Sequence, residues 1–366
     1  MAYEKTKSSI KGANIMPIIT KPSEHFDAKI YAGNGGASSG TTQNITTSFY
    51  PDLTWVKGRN EQYYHRLTST GLTQPNYLCT NATDPEGSGN DQISALASTY
   101  FQVKAAGAGG TNQSGINYVG WVWKAGSGSA VTNTSGSISS QVSANPTAGF
   151  SIVTYTGTGS SGTIGHGCQV NGISKAPSMI IYKRRTGGSD SWIVYHASAG
   201  AANSLTLNNT NVVYSGGGTY YWGGTAPTPS VFSVATDSAV NTGSSTYVAY
   251  CFAEVDGYSK FGSYTGTGAA ETNGPFIYCG FRPALIIAKV DANGYNWAMM
   301  DIERPGYNSI SYRIMADAAN DETTVGDPQL DFLSNGFKLR AGNANYAGTV
   351  YYMAFAEAPF KYSSAR

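Results

Sequence analysis

The chain repeats itself three times, and that repeat limits what it can fold into. The string YTGTG stands at 155–159 and again at 264–268, with a looser copy, YAGNG, at 31–35. Each copy closes a short alternating strand, at 28–31, 150–155 and 260–264. Downstream of each lies a proline-led apolar run that ends in lysine: PDLTWVK at 51–57, PSMIIYK at 177–183 and PALIIAK at 283–289. Proline can open a strand because no ladder N–H is needed there. An aromatic-rich strand closes each unit: YVGWVWK at 118–124, YVAYCFAE at 247–254 and VYYMAFAE at 350–357. Shorter strands fall between these markers at 64–67, 192–196 and 297–301, at 78–81, 205–208 and 314–317, and around Phe101, Phe232 and Phe337.

The repeated tyrosines, Tyr31, Tyr155 and Tyr264, put the period near 100 residues, too long for a solenoid or propeller blade. A unit of that length with six or more short strands suits a small β-sandwich. The expected fold is all-β: three tandem antiparallel β-sandwich modules, jelly-roll or lectin-like, behind a short N-terminal anchor arm. The expected boundaries are 1–25 for the arm, 26–126 for the first module, 127–148 for a Gly/Ser/Thr-rich linker, 149–256 for the second module and 257–366 for the third. The fragment 137–142 alternates, so part of the linker is compatible with an added edge strand.

Composition agrees with this reading. Charged residues are 12% of the chain, half the usual ~25%. In their place stand 45 glycines, 26 tyrosines and many Ser, Thr and Asn, the residues of strands and turns. A net charge of +1 leaves no basic excess for nucleic acid or for an anionic membrane surface. No apolar run is long enough for a signal peptide or a membrane helix, so neither secretion by signal nor membrane insertion is expected. Cys79, Cys168, Cys251 and Cys279 are far apart without zinc spacing and read as free thiols.

The chemical motifs are weak. GxGxxG at 157–162 continues into more Gly and Asn without a helical period, so it reads as a hairpin loop rather than a phosphate cradle. GxSxG at 36–40 lies in the corresponding loop of the first unit and lacks the strand-to-helix turn of a nucleophile elbow. Of His25, His65, His166 and His196, His65 and His196 read as one repeat position with Asp301 as the third member. Asp317, Asp321, Glu322, Asp327 and Asp331 cluster without EF-hand spacing and read as a solvated loop, with a weak calcium site or a hydrolytic carboxylate pair as alternatives. No catalytic residue, cofactor or metal is expected. The segment 214–224, YSGGGTYYWGG, belongs to the second unit alone. Its Tyr220, Tyr221 and Trp222, between glycines, are the candidate ligand-binding residues. Lys5, Lys7, Lys11 and Lys21, with the apolar run 15–19, mark the arm as a candidate anchor.

The runs QVSANP at 141–146, FSIVTYTGTG at 150–159, GHG at 165–167, KAPSMIIY at 175–182 and WIVYH at 192–196 resemble repeated units in virion proteins of marine tailed bacteriophages, often described as tail-fibre-like. The resemblance implies a virion protein made in the host cytoplasm: a tail fibre or receptor-binding component that contacts a host-surface glycan or protein and is not an enzyme. It implies other virion proteins as partners through the N-terminal arm, and, because fibres are commonly trimers, a homotrimer. A capsid decoration protein is the alternative, and a glycan-cleaving virion enzyme the second. No catalytic residue carries over from the family.

Overall fold

A computed structural model describes residues 17–36, 40–89, 92–105, 109–268, 274–305, 307–324, 329–340 and 342–359. The fold is all-β. Three large antiparallel sheets follow one another along the chain, each with a smaller sheet against it. In the first unit the large sheet runs Phe26–Ala32, Asn117–Trp123, Leu53–Gly58, Arg66–Ser69, and the small one Thr42–Thr46, Tyr100–Lys104, Ile93–Ala97. In the second, the large sheet is built on Phe150–Thr156, Thr246–Phe252, Met179–Arg184 and Ile193–His196, and Gly162–Gly165 pairs with Val231–Val234. In the third, Ser259–Thr265, Thr349–Pro359, Phe281–Val290 and Trp297–Asp301 repeat the order, and Phe276–Tyr278, Gly336–Leu339 and Leu330–Leu333 form the small sheet.

The proline-led strands explain how these sheets pack. Leu53–Gly58 and Met179–Arg184 are buried at every residue. A strand without alternation is covered on both faces. One face meets the unit's own small sheet, as Val56, Tyr118 and Val122 meet Ile45, Phe101 and Val103. The other face turns inward, and there the three units share one hydrophobic cluster. At its centre Trp123, Phe252 and Phe355, the same position of the three closing strands, form a triangle. Its sides are 6.5 Å for Trp123–Phe252, 5.6 Å for Trp123–Phe355 and 5.9 Å for Phe252–Phe355. Phe26, Phe150 and Phe261 pack against it from the opening strands. The modules thus close around a common axis.

The expected linker at 127–148 is part of the second module. Ser140–Asn145 pairs along Phe150–Thr156, and Val131–Asn133 pairs with Ser140–Asn145 as the edge. The low side-chain bulk of this stretch suits a sheet margin, which composition alone cannot tell from a flexible spacer. The YTGTG segments are crossovers between sheets rather than hairpins. The Tyr31, Tyr155 and Tyr264 hydroxyls donate to the carbonyls of Thr111, Val240 and Ala344 at 2.8, 2.7 and 2.8 Å. Two residues on, a Cβ on Gly33, Gly157 or Gly266 would lie 2.1, 2.2 or 2.0 Å from a carbonyl oxygen of Gln113, Thr242 or Tyr346. The repeated glycine is required by this close approach.

Truncation at the axis should be costly, because it opens a cavity the three sheets share. Phe355→Ala is expected to lose about 3–5 kcal/mol in denaturant titration. A loss below about 1 kcal/mol would contradict the shared core.

Candidate functional site

Most chemistry-bearing side chains lie at the seams between modules. Strand register sets the repeat positions. Leu53, Met179 and Leu285 face Ser69, His196 and Asp301, which makes those three equivalent. Four residues upstream, His65, Trp192 and Trp297 are equivalent. The expected pairing of His65 with His196 is therefore displaced by four residues. The Tyr-His dipeptides at 64–65 and 195–196 match in sequence but sit at opposite ends of their strands.

Each member of the second set donates across a seam. His65 Nε2–H donates to the Met315 carbonyl at 2.9 Å, Trp192 Nε1–H to that of Cys79 at 2.9 Å, and Trp297 Nε1–H to that of Thr206 at 2.8 Å. His65 stands where its sister modules have tryptophan. Its Nδ1 accepts from Trp55 Nε1–H at 2.8 Å, a donor only, which fixes the tautomer. Burial pushes its pKa down to about 3. The first set bridges the seams in the other sense. Ser69 Oγ meets the Tyr250 hydroxyl at 3.1 Å, His196 Nε2–H donates to the Tyr352 carbonyl at 3.1 Å, and Trp121 Nε1–H donates to Asp301 at 3.0 Å. Burial lowers His196 to about 4. His166, inside the second module, accepts from the Cys168 N–H and bonds the Thr228 carbonyl.

The lysines that end the proline-led runs are buried too. Lys57 donates to the carbonyls of Gly58 and Glu61, Lys183 to those of Thr83 and Asp190, and Lys289 to that of Tyr295. Burial lowers each to about 8. Two residues on, Arg59 pairs with Glu322 at 2.8 Å, Arg185 pairs with Glu86 at 2.5 Å, and Asp291 accepts from the Val213 N–H at 3.0 Å. Each contact again joins neighbouring modules. Between the first and third modules the charges continue inward: Glu322 to Arg304, then Arg304 to Asp301 at 2.7 Å. A polar groove of about 280 Å³ opens over this seam, lined by Arg59, Asn60, Asn117, Asp321 and Glu322.

The acidic cluster of the third module disperses. Asp317 accepts from Trp297 N–H and Asn296, and burial raises it to about 6. Asp331 pairs with Arg340, Glu322 with the two arginines above, and Asp321 lies on the groove. Asp327 lies outside the described residues. Among the described residues no three His, Cys, Asp or Glu side chains converge as metal ligands.

The insertion of the second module contains a short helix, α1 (Gly217–Trp222), bounded by Gly216 and Gly223 in the left-handed region. It does not present its three aromatics alike. Trp222 is a core residue, 2% exposed: it stacks on Tyr182, meets Tyr195 edge-on and donates to the Ala201 carbonyl at 2.6 Å. It is closed to a ligand, because the helical turn points it inward. Tyr221 is half-buried, and its carbonyl accepts from the Ala235 N–H. Tyr220 is exposed, and its partner is Tyr214, six residues before it at the start of the insertion. The two rings lie parallel within 6° at 6.0 Å and are 58% and 50% exposed. Tyr214 is placed by a bridge to Ser204, a pairing that sequence spacing does not reveal. The nearby Tyr220 raises the pKa of the Tyr214 hydroxyl.

Of the candidate anchor residues, Lys5, Lys7 and Lys11 lie outside the described residues. Lys21 is exposed and pairs with Glu24 at 3.2 Å. Ile19 is buried in the shared core, so the end of the arm is held by the body.

The lysines supply a pH test. Each has a lower pKa folded than unfolded, so the unfolded chain binds more protons between about 8 and 10.5. Their contribution is complete above the unfolded value and is lost as pH falls to about 8. Burial raises the thiols of Cys79, Cys251 and Cys279 and the hydroxyls of Tyr250 and Tyr258, which act with the opposite sign over the same range, so the lysine share is read by difference. From pH about 8 to about 9.5 the guanidinium midpoint of the natural chain is expected to gain on that of Lys183→Met, and a gap that does not widen would contradict the assignment.

A family model described as a domain of unknown function (DUF7483) matches residues 21–359, and the chain belongs to that family. One family unit therefore spans all three modules. No curated protein and no solved structure matches the chain. Among the described residues no helix is long and apolar enough to cross a membrane.

Proposed function

We propose that this member of the family is a bacteriophage virion component, a tail-fibre or receptor-binding part that contacts the host surface and is not an enzyme. The observation that carries the reading is the exposed Tyr214–Tyr220 stack. It sits on an insertion held down by Trp222, on a body whose histidines and repeat lysines are tied into structural bonds. An aromatic face with a hydroxyl tip suits a sugar ring or a polar protein patch. A surface poor in charge favours contact without strong electrostatic steering. The likeness of the repeats to marine phage virion proteins supports the same placement.

A second reading, capsid decoration, draws on the internal threefold arrangement. A body with three similar faces fits a place where three shell subunits meet. In either reading other virion proteins hold the chain through the N-terminal arm with Lys5, Lys7, Lys11 and Lys21. The homotrimer joins three such bodies rather than completing one, because the inner faces of the modules are already spent within a chain.

The double variant Tyr214→Ala/Tyr220→Ala is expected to lose at least about tenfold in binding to host cells with its thermal midpoint unchanged. Antibody labelling is expected at the tail. Label on the head, with particles lacking the protein that adsorb normally but lose head stability, would replace this reading with decoration.

A further inference from the structure

The three seams repeat one geometry but not one chemistry. The seam between modules 1 and 2 is bridged at the repeat positions by Trp192 to Cys79 and by Ser69 to Tyr250. None of these groups titrates in mild acid. Both seams around module 3 carry a histidine instead: His65 reaches Met315 from module 1, and His196 reaches Tyr352 from module 2. Both are almost fully buried, at 0% and 1% exposure. In each, the second ring nitrogen is also occupied, by Trp55 Nε1–H for His65 and by the Ser198 N–H for His196. A proton added there would set N–H against N–H.

We propose that module 3 is an acid-released element: protonation of His65 and His196 opens both of its seams while modules 1 and 2 stay joined. The surroundings of the two rings support this. His65 faces Lys57 and Arg66 from its own module, and both oppose a second positive charge. Among the described residues of module 3 it meets the carbonyls of Met315 and Ala318, which favour the proton but do not outweigh burial. His196 meets the Tyr351 ring and the Tyr352 carbonyl of module 3, and burial governs its shift.

The sign is fixed by the direction of the shifts. Both rings have a lower pKa in the closed seam, so their contribution is complete above about 6.5 and is lost as pH falls toward about 4 and about 3. Asp317 titrates in the same window with the opposite sign, because burial raises it. It acts inside module 3, on the Trp297 N–H and Asn296, and not across a seam. Asp27 of module 1 and Glu303 of module 3, which line one cavity at the seam, are also raised by burial and oppose the opening in acid. His25, at the foot of modules 1 and 2, meets Asn145 and Tyr258 and is only partly buried. Burial and Lys124 lower it while Glu24 raises it, so its shift has the same direction as those of the two seam rings.

Three backbone amides report on the seams separately. The Glu322 N–H bonds the Arg59 carbonyl between modules 3 and 1, and the Gly294 N–H bonds that of Thr210 between modules 3 and 2. The Glu86 N–H bonds that of Arg185 between modules 2 and 1. Hydrogen exchange on the full chain, corrected for the intrinsic pH dependence, should be compared at pH about 6.5 and about 4.5. Each histidine shifts its seam by about forty- to fiftyfold over that interval. Protection at Glu322 and Gly294 is expected to fall by tens of fold or more relative to Glu86. His65→Gln/His196→Gln, which keeps a donor and an acceptor in place of each ring, is expected to abolish the difference. Equal loss at all three amides, no loss at any, or the same difference in the double variant would overturn the proposal. Should the variant not fold, the comparison of the three amides in the natural chain decides alone.

Discussion

Burial of both faces of each large sheet is the constraint on which the rest depends. A small sandwich normally exposes the outer face of each sheet. Here that outer face is apolar and aromatic, and the modules turn it toward one another to form a single interior centred on Trp123, Phe252 and Phe355. Separation of the modules would leave Trp55, Trp121, Met299 and Met353 in water. Burying such side chains is worth about 1.5–3 kcal/mol each. The covalent links between modules can therefore be short, because packing rather than tethering sets their arrangement.

Polar groups in the seams follow from that arrangement. A backbone carbonyl at a buried interface needs a donor. The repeat supplies one at a fixed place, a ring N–H from His65, Trp192 or Trp297. The lysines at 57, 183 and 289 do the same for loop carbonyls near the rim. The substitutions within this pattern give the three seams their separate characters. Histidine for tryptophan brings a proton site, and aspartate at 301 recruits Arg304 and links it through Glu322 to Arg59.

Much of this was legible in the sequence. The repeat, the strands and the all-β class follow from YTGTG, the proline-led runs and the closing strands. The seams were not legible, because equivalence across modules depends on register. WIVYH suggested that His196 matches His65, whereas the ladder from Met179 pairs it with Ser69. Composition misled at 127–148, where small residues form a sheet margin. At the insertion, three adjacent aromatics could not be sorted by sequence. A helical turn rotates each by about 100°, which sends Trp222 inward and leaves Tyr220 outside.

The central claim is that three modules close into one body around a shared core, and small-angle scattering of the full chain tests it most directly. A compact chain of this length has a radius of gyration of about 21 Å. The closed arrangement predicts a value within a few ångströms of that. Three sandwiches strung in a row would give about 28 Å or more, and that result would contradict the account.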